Sequence, residues 1–261
     1  MDVSKPGAHS FDWKSQVVVV TGASAGIGAA LCAEIVRRGG SVVLAARRAE
    51  KLDDVARAAG GTTLTVPTDV TRKDEVNRLA AKAVERFGHV DAWVNNAGRG
   101  ITRPLLELTD ADVDAMLRDN VKSALYGMQA IVPHFKERTR GHLVNVSSML
   151  GRIPFAGFRS AYCASKAALG SLTEILRMDL AKDFPEVRVT CFYPGVVATD
   201  FGLNALGGGV DSRSLPGSQT AEEVARLLAD ALEARRGGDV YSRPEAVERV
   251  LGYLRGLAAE S

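Results

Sequence analysis

The chain has 261 residues, of which 33 are basic and 31 acidic, so its formal net charge is +2. This near balance argues against the strongly positive field that attracts nucleic acid or an anionic membrane, and we expect a small-molecule partner. The three cysteines are widely separated and share no ligand spacing with the four histidines, which argues against a metal site. No segment reaches the roughly 20 apolar residues of a membrane span, so we expect no membrane partner and a cytoplasmic location.

Short apolar segments alternate with longer helical segments along the chain, a pattern typical of a parallel sheet covered by helices on both faces. Helices are predicted over 25–38, 72–87, 221–235 and 244–259. Strand character is found in QVVVVT, SVVLAA, TLTVPT, VDAWVNN, HLVNVSS, VRVTCFYP and GDVYSR. The sequence therefore predicts an α/β fold, a single doubly wound Rossmann domain over 1–261 with a parallel sheet of about seven strands.

A glycine-rich loop follows the first strand and leads directly into an apolar helix. Its residues are Thr21, Gly22, Ala23, Ser24, Ala25, Gly26, Ile27 and Gly28. Glycines allow a sharp turn and let a pyrophosphate approach the backbone amides at the helix N-terminus. A tight strand-to-helix connection without a ligand would use glycines too, but the position after the first strand favours a dinucleotide site.

The second strand ends at Ala46, Arg47 and Arg48, where dinucleotide folds that prefer NAD usually carry an acidic residue. A guanidinium can bind a 2′-phosphate that a carboxylate would repel, so the sequence favours NADP(H). Arg47 is the expected main contact and Ser24 a candidate helper. The alternative is that both arginines only solvate the start of a helix.

Asp69 follows the third strand and has two interpretations. Its carboxylate either accepts a hydrogen bond from the adenine amino group or caps the next helix through Thr71.

Tyr162 and Lys166 stand four residues apart in a segment that suits a helix, so both side chains should project from one face. A free tyrosine loses its proton near pH 10, and an ammonium group one turn away lowers that pKa. The pair therefore indicates proton transfer to or from an oxygen. On its own, the same spacing is also typical of a solvated helix surface.

Further motifs follow the glycine loop in a fixed order: NNAG at Asn95–Gly98, Asn120, the Ser147-Ser148 pair, YCASK and Pro194-Gly195. On these motifs the chain resembles the short-chain dehydrogenase/reductase family, in the branch marked by TGxxxGxG and YxxxK. The similarity covers about residues 14 to 200. It implies an NADP(H)-dependent oxidoreductase that interconverts a carbonyl and an alcohol.

The resemblance also implies a role for each matching residue. Tyr162 would exchange the proton on the substrate oxygen, Lys166 would bind the nicotinamide ribose and lower the tyrosine pKa, and Ser148 would polarise the carbonyl. Asn120 would hold a water that links Lys166 to solvent. Including the arginine and the aspartate above, the expected cofactor contacts are Gly22, Ser24, Ala25, Gly26, Ile27, Gly28, Arg47, Asp69, Val70, Asn95, Ala97, Gly98, Tyr162, Lys166, Pro194, Gly195, Val197 and Thr199.

Several of these residues have simpler interpretations. Asn120 could be a satisfied buried amide, Ser148 a cap at a strand end, and Thr199 a turn residue. Fourteen positions separate Ser148 from Tyr162, one more than is commonest in the family, so the intervening loop is expected to bulge. Ser147 therefore stays open as the acting hydroxyl, with Ser148 preferred.

Two more features depart from the family pattern. The chain lacks the aspartate-glycine-glycine ending common in tetrameric members and has the helix over 244–259 instead, so homodimer and homotetramer both stay open. Loop arginines either reach the pocket rim or face solvent; these are Arg99, Arg103, Arg152 and Arg159.

The substrate pocket is weakly specified by the sequence. The stretch 200–220 is expected to be a substrate loop, with a plain surface linker as the alternative. Loop side chains indicate an apolar ketone, aldehyde or secondary alcohol, unless they only pack; these are Phe155, Phe158, Phe201, Leu203 and Leu206.

Two other functions compete with this interpretation. A non-catalytic redox sensor or scaffold that binds a dinucleotide would need the glycine loop but not the four proton-transfer residues together. A sugar epimerase of the extended branch is disfavoured, because about 60 residues after Pro194-Gly195 leave little room for a substrate domain.

Overall fold

Seven parallel strands form one sheet at the centre of the computed structural model, which describes residues 11–259. The strands are β1 (Val17–Thr21), β2 (Ser41–Ala46), β3 (Thr63–Pro67), β4 (Ala92–Asn95), β5 (Gly141–Val146), β6 (Val187–Tyr193) and β7 (Gly238–Tyr241). Their order across the sheet is β3-β2-β1-β4-β5-β6-β7. The predicted doubly wound α/β fold with seven parallel strands is confirmed.

Eight α-helices occur within the described residues; seven connect successive strands, and the eighth follows β7. They are α1 (Gly26–Arg37), α2 (Ala49–Ala59), α3 (Lys73–Phe87), α4 (Asp110–Leu117), α5 (Ser123–Glu137), α6 (Ser160–Ala181), α7 (Ala221–Glu233) and α8 (Glu245–Ala259). A π-helical turn, Arg118–Lys122, joins α4 to α5. The four helices predicted from the sequence all form, with ends within two residues of the expected bounds.

Side chains alternate between the two faces of the sheet, because successive strand residues point in opposite directions. In β1, Val18 and Val20 pack with α1, α2 and α7, while Val17 and Val19 pack with α3, α5 and α6. All five β1 residues are buried, as expected where both faces of a parallel sheet are covered. Helix α8 lies outside these two layers and packs near β6 and β7 through Ala246 and Val250.

The strand order places a crevice at the carboxyl ends of the central strands β1 and β4. After β3 the chain returns to the other side of β1, so β4 pairs with β1 and the connections leave these two strands in opposite directions. Ligands in open α/β sheets bind at such a switch point, outside the carboxyl ends of the strands. The glycine loop after β1 and the NNAG segment after β4 meet there.

Residues 11–259 contain no helix that is long and apolar enough to cross a membrane. Over the same range, no three His, Cys, Asp or Glu side chains cluster in a way that could hold a metal ion. The cysteines Cys32, Cys163 and Cys191 are buried free thiols.

A buried polar network lies below the crevice, between the sheet and α5 and α6. Trp93 Nε1 donates to Asn95 Oδ1 at 2.7 Å, and Asn95 Nδ2 donates to Asn145 Oδ1 at 2.8 Å. Asn145 Nδ2 donates in turn to Thr173 Oγ1 at 2.9 Å. Helix α5 fits over this network because it carries Gly127, where a Cβ would lie 2.2 Å from Asn95 Oδ1.

We expect the substitution Gly127→Ala to lower the free energy of unfolding by about 1–3 kcal/mol, because the added methyl group overpacks a rigid site. Urea unfolding followed by far-UV circular dichroism measures this change. Gly252→Ala in α8 is the matched control: its Cβ meets nothing within 4 Å, so stability should stay equal or rise by about 0.5–1 kcal/mol. Equal stability of Gly127→Ala and the wild type would contradict the packing described here.

Candidate active site

A cleft of about 1340 Å³ opens at the carboxyl ends of the central strands. Pockets for a single small ligand measure roughly 300–1,000 Å³, so this cleft has room for a dinucleotide and a substrate together. Its walls come from the glycine loop, the segments after β2 to β6, and the first turns of α6.

The glycine loop forms one end of the cleft, and its glycines are required by close approaches. Gly22 has φ +68°, and a Cβ there would lie 2.9 Å from Ala97 Cα. At Gly28 a Cβ would lie 2.4 Å from the Gly22 carbonyl oxygen. The loop therefore packs tightly on the segment after β4, and larger residues would force the two apart.

Helix α1 begins at Gly26 and presents its N-terminus to the cleft. The preceding residue, Ala25, has no side chain that could cap the first turn, so the amides there stay free for a ligand. Free amides and the positive end of the helix dipole together favour an anion. These residues fit the pyrophosphate of a dinucleotide.

Two arginines lie at the same end of the cleft. Arg47 and Arg48 both line it, and Arg48 Nη2 donates to Ser24 Oγ at 3.2 Å. Arg47 is the main phosphate contact expected from the sequence, whereas in the structure Arg48 reaches the glycine loop. The exposed guanidinium groups and the Ser24 hydroxyl together form a site suited to a phosphate monoester.

Asp69 lines the cleft close to these arginines and also makes the predicted contact with Thr71. Its Oδ1 accepts from the Thr71 amide at 2.9 Å and from the Thr71 hydroxyl at 2.7 Å. Burial raises the pKa of Asp69, but these hydrogen bonds outweigh burial and hold the pKa below its usual value. The carboxylate is therefore charged and keeps acceptor sites for a ligand amino group.

Tyr162 lies in the first turn of α6 with its side chain buried, at 7% exposure, on the wall of the cleft. Burial raises the pKa of Tyr162 to about 12, against the lowering effects of the Ser148 hydroxyl and the Arg159 guanidinium. The net pKa of Tyr162 is thus raised, whereas the sequence predicts a lowering by Lys166. The phenol therefore holds its proton at neutral pH.

Lys166 lies one turn further along α6 and is 4% exposed. Its Nζ donates to the Val146 carbonyl at 2.8 Å and lies 5.8 Å from the centre of the Tyr162 ring. Burial lowers the pKa of Lys166 to about 8. An ammonium that is itself disfavoured by burial, at this distance, cannot offset the burial of the phenol.

The structure separates the roles of the two neighbouring serines. Ser147 Oγ donates to the Lys166 carbonyl at 2.9 Å, so its hydroxyl is used to fix α6. Ser148 lines the cleft beside Tyr162, and its Oγ accepts from the Leu150 amide at 3.2 Å. Ser148 is therefore placed to donate its own hydroxyl proton to a substrate oxygen.

Asn120 is buried in the π-helical turn, and its side-chain amide makes three hydrogen bonds to protein groups near the cleft. Its Oδ1 accepts from the Arg99 amide at 2.8 Å, while Nδ2 donates to the Arg99 carbonyl at 2.9 Å and to Ser165 Oγ at 3.0 Å. A Cβ built on Gly98 would lie 2.8 Å from Asn120 Oδ1 and 3.4 Å from Lys166 Nζ. Asn120 thus holds the segment after β4 against α6, close to the lysine.

Two predicted cofactor contacts do not reach the cleft. Asn95 is buried in the polar network with Trp93 and Asn145, and the next residue, Asn96, lines the cleft instead. Gly28 packs under the loop rather than lining it. The other predicted contacts do line the cleft: Gly22, Ser24, Ala25, Gly26, Ile27, Arg47, Asp69, Val70, Ala97, Gly98, Tyr162, Lys166, Pro194, Gly195, Val197 and Thr199.

The far end of the cleft is covered by the loop after β5 and by the stretch 200–220. Three of the five predicted apolar side chains, Phe155, Phe158 and Phe201, line it, and the ring centres of Phe201 and Tyr162 are 5.6 Å apart. Leu206 instead packs with a buried cluster, and Leu203 does not line the cleft.

The four loop arginines of the sequence analysis also fall into two groups, those that line the cleft and those that do not. Arg99 and Arg159 line the cleft. Arg103 pairs with Asp112 at 3.0 Å, and Arg152 pairs with Asp239 and lies over the Tyr193 ring. Of the four, only Arg99 and Arg159 can contact a bound substrate directly.

Comparison with known proteins identifies the family of this chain. Residues 16–205 match the family model described as short chain dehydrogenase. The chain is 36% identical over 250 residues to an uncharacterised oxidoreductase of Staphylococcus saprophyticus, covering 95% of this chain and 93% of the relative.

Solved structures show the same architecture with either nucleotide bound. A short chain dehydrogenase/reductase from Burkholderia phymatum in complex with NAD has 28% identity and a TM-score of 0.86, covering 97% of both chains. An alcohol dehydrogenase from Thermococcus sibiricus complexed with 5-hydroxy-NADP has 26% identity and a TM-score of 0.76, covering 87% of this chain and 95% of that one. The protein is an oxidoreductase that belongs to the short-chain dehydrogenase/reductase family.

Proposed function

We propose that this protein is an NADP(H)-dependent carbonyl reductase, in which Tyr162 protonates the substrate oxygen as a hydride reaches the adjoining carbon. The observation that carries the proposal is the convergence of Tyr162, Ser148 and Lys166 on one wall of a cleft whose other end suits a dinucleotide phosphate. When bound, the nicotinamide supplies the hydride.

At neutral pH Tyr162 is in the protonation state that carbonyl reduction requires. A phenol with a pKa near 12 is protonated, which is the form that donates to a developing alkoxide. The Ser148 hydroxyl adds a second hydrogen bond to the same oxygen, where negative charge develops. Together they bind the transition state more strongly than the neutral carbonyl.

Lys166 and Asn120 are proposed to support this proton transfer. The Lys166 ammonium favours the tyrosinate that remains after the proton has left, and with its pKa near 8 it can exchange a proton near neutrality. Since the Asn120 side chain already bonds Arg99 and Ser165, a water beside it would use the remaining acceptor capacity of this residue. That water would link Lys166 to solvent.

The preference for NADP(H) over NAD(H) rests on charge at the ribose end. Arg47, Arg48 and Ser24 surround the position after β2, and no acidic residue stands at the end of that strand. Asp69 is proposed to accept from the adenine amino group with the acceptor sites that Thr71 leaves free.

Two expectations stay part of the proposal. The stretch 200–220 serves as the substrate loop over a single catalytic domain, and the protein assembles as a homodimer or homotetramer. Exposed apolar side chains before and on α4 supply surface that a second copy could cover; they are Leu105, Leu106, Val113 and Leu117. A non-catalytic sensor is disfavoured because it would not need Tyr162, Ser148 and Lys166 on one wall.

Replacing Tyr162 by Phe is expected to lower kcat for carbonyl reduction roughly 10²- to 10⁴-fold, the usual contribution of a positioned general acid. NADPH binding, measured by quenching of its fluorescence, should change little. An unchanged kcat in a variant that binds NADPH normally would show that Tyr162 is not the proton donor.

The kcat/KM for carbonyl reduction and the kcat/KM for alcohol oxidation should change in opposite directions with pH. Reduction needs the protonated phenol and is aided by the Lys166 ammonium, so its kcat/KM should fall as pH rises through about 8. Alcohol oxidation needs the tyrosinate, so its kcat/KM should rise over the same interval. Initial rates from about pH 6 to about pH 10 test both; a reduction that accelerates with rising pH would contradict the assigned acid.

Replacing Arg48 by Leu should raise the KM for NADPH roughly 10- to 100-fold and leave the KM for NADH nearly unchanged. A charge-assisted hydrogen bond contributes about 1.5–3 kcal/mol, and each 1.4 kcal/mol is tenfold. Arg57→Leu, on the exposed face of α2, is the matched control and should change neither KM. Equal effects of Arg48→Leu on both cofactors would remove the basis for the NADP(H) assignment.

A further inference from the structure

Arg159 is a buried cation at the substrate end of the cleft. It immediately precedes α6, lines the cleft three residues before Tyr162, and is 8% exposed. Burial lowers its pKa against the attraction of Tyr162 and Cys163, yet a guanidinium at neutral pH stays charged. Burying a charge in this way is unfavourable unless it is paired.

No carboxylate of residues 11–259 lies within ion-pair distance of Arg159. Four carboxylates line the cleft, and none of them pairs with Arg159: Asp69 binds Thr71, Asp119 pairs with Arg118, Asp200 pairs with Arg213, and Glu222 lies in the first turn of α7. The neighbouring Arg103 does have its carboxylate, Asp112. Arg159 therefore differs from Arg152 in the same loop and from Arg103 in the loop after β4, both of which pair with carboxylates.

The guanidinium is only lightly held by the protein. Its Nη1 donates to the Ile101 carbonyl at 3.2 Å, the one side-chain hydrogen bond that it makes within the described chain. A guanidinium has five N–H donors, so most of its capacity stays available. A structural clamp would explain the single bond to Ile101 but not the unused donors.

The surroundings of Arg159 belong to the substrate end rather than the cofactor end. A Cβ built on Gly100 would lie 3.0 Å from Arg159 Nη1 and equally 3.0 Å from Phe201 Cε1. The Phe201 ring in turn contacts Tyr162. Arg159 thus shares one wall with the proton donor and with aromatic side chains, while Arg47 and Arg48 lie at the glycine loop.

We propose that Arg159 binds a carboxylate of the substrate, so that the natural substrate is an oxo acid with an apolar or aromatic body. The carboxylate would occupy the free donors of the guanidinium in a bidentate pair, the geometry for which arginine is suited. The carbonyl would then reach Tyr162 and Ser148 while the apolar body packs on Phe155, Phe158 and Phe201. This inference rests on the proposed carbonyl reduction and specifies its substrate class.

Matched acids and esters test the proposal by turnover. With NADPH, the wild type should reduce phenylglyoxylate, phenylpyruvate or benzoylacetate with kcat/KM at least tenfold above that for the corresponding methyl ester. Arg159→Met should raise the KM for the acid roughly 10- to 100-fold and leave the KM for the ester unchanged, because only the acid loses a charge-assisted pair. Arg159→Lys should retain part of the preference for the acid over the ester. Arg103→Met should retain all of that preference.

Binding separates this inference from the proposed function. By calorimetry, benzoate should bind the wild type in the presence of NADP+ more tightly than benzamide, and Arg159→Met should lose that difference. Benzoate that binds no more tightly than benzamide, or an Arg159→Met variant that weakens acid and ester alike, overturns the carboxylate site. If benzoate shows the preference but no carbonyl is reduced, the carboxylate site stands and the reductase function fails.

Discussion

Two hydrogen bonds between β5 and α6 determine the geometry of the site. Lys166 Nζ donates to the carbonyl of Val146, the last residue of β5, and Ser147 Oγ donates to the carbonyl of Lys166. The end of β5 and helix α6 are thereby held in a fixed position relative to each other. Because Ser148 follows the strand and Tyr162 precedes Lys166 by one turn, the same two bonds place the Ser148 hydroxyl beside the Tyr162 phenol.

Burial has opposite consequences for the two titratable groups of this pair. It raises the pKa of Tyr162 to about 12 and lowers the pKa of Lys166 to about 8. The phenol therefore holds its proton, while the lysine can exchange one near physiological pH. Under the proposed mechanism, the protonated phenol donates to the substrate oxygen, and Lys166, packed under the same cleft, replenishes its proton.

Much of the fold and the cofactor site could be predicted from the sequence, because both depend on local patterns. The alternation of apolar segments and helices fixed the seven strands, and glycine before an apolar helix located the loop at Gly22 and Gly26. The burial of Asn95 in the polar network had a signal in the sequence. Asn95 lies two residues after Trp93, and residues i and i+2 of a strand point to the same face, so a buried tryptophan predicts a buried asparagine.

Other features depend on tertiary contacts that spacing does not encode. The choice of Arg48 over Arg47 as the neighbour of Ser24 depends on how the chain leaves β2. Arg159 could not be told from Arg103 and Arg152 in the sequence, since only the folded chain shows which arginines find carboxylates. The raised pKa of Tyr162 likewise follows from the burial of its side chain, which the spacing to Lys166 does not predict.

The most direct test of the account follows the hydride and the proton together. NADPH deuterated at the transferring position of its nicotinamide, incubated with phenylpyruvate and other ketones, should give alcohols carrying one deuterium on the carbinol carbon. The wild type should do so with a primary isotope effect, and Tyr162→Phe should bind the cofactor but transfer deuterium roughly 10²- to 10⁴-fold more slowly. If Tyr162→Phe transfers deuterium at the wild-type rate, Tyr162 is not the proton donor. If the alcohol carries no deuterium, the nicotinamide is not the source of the hydride.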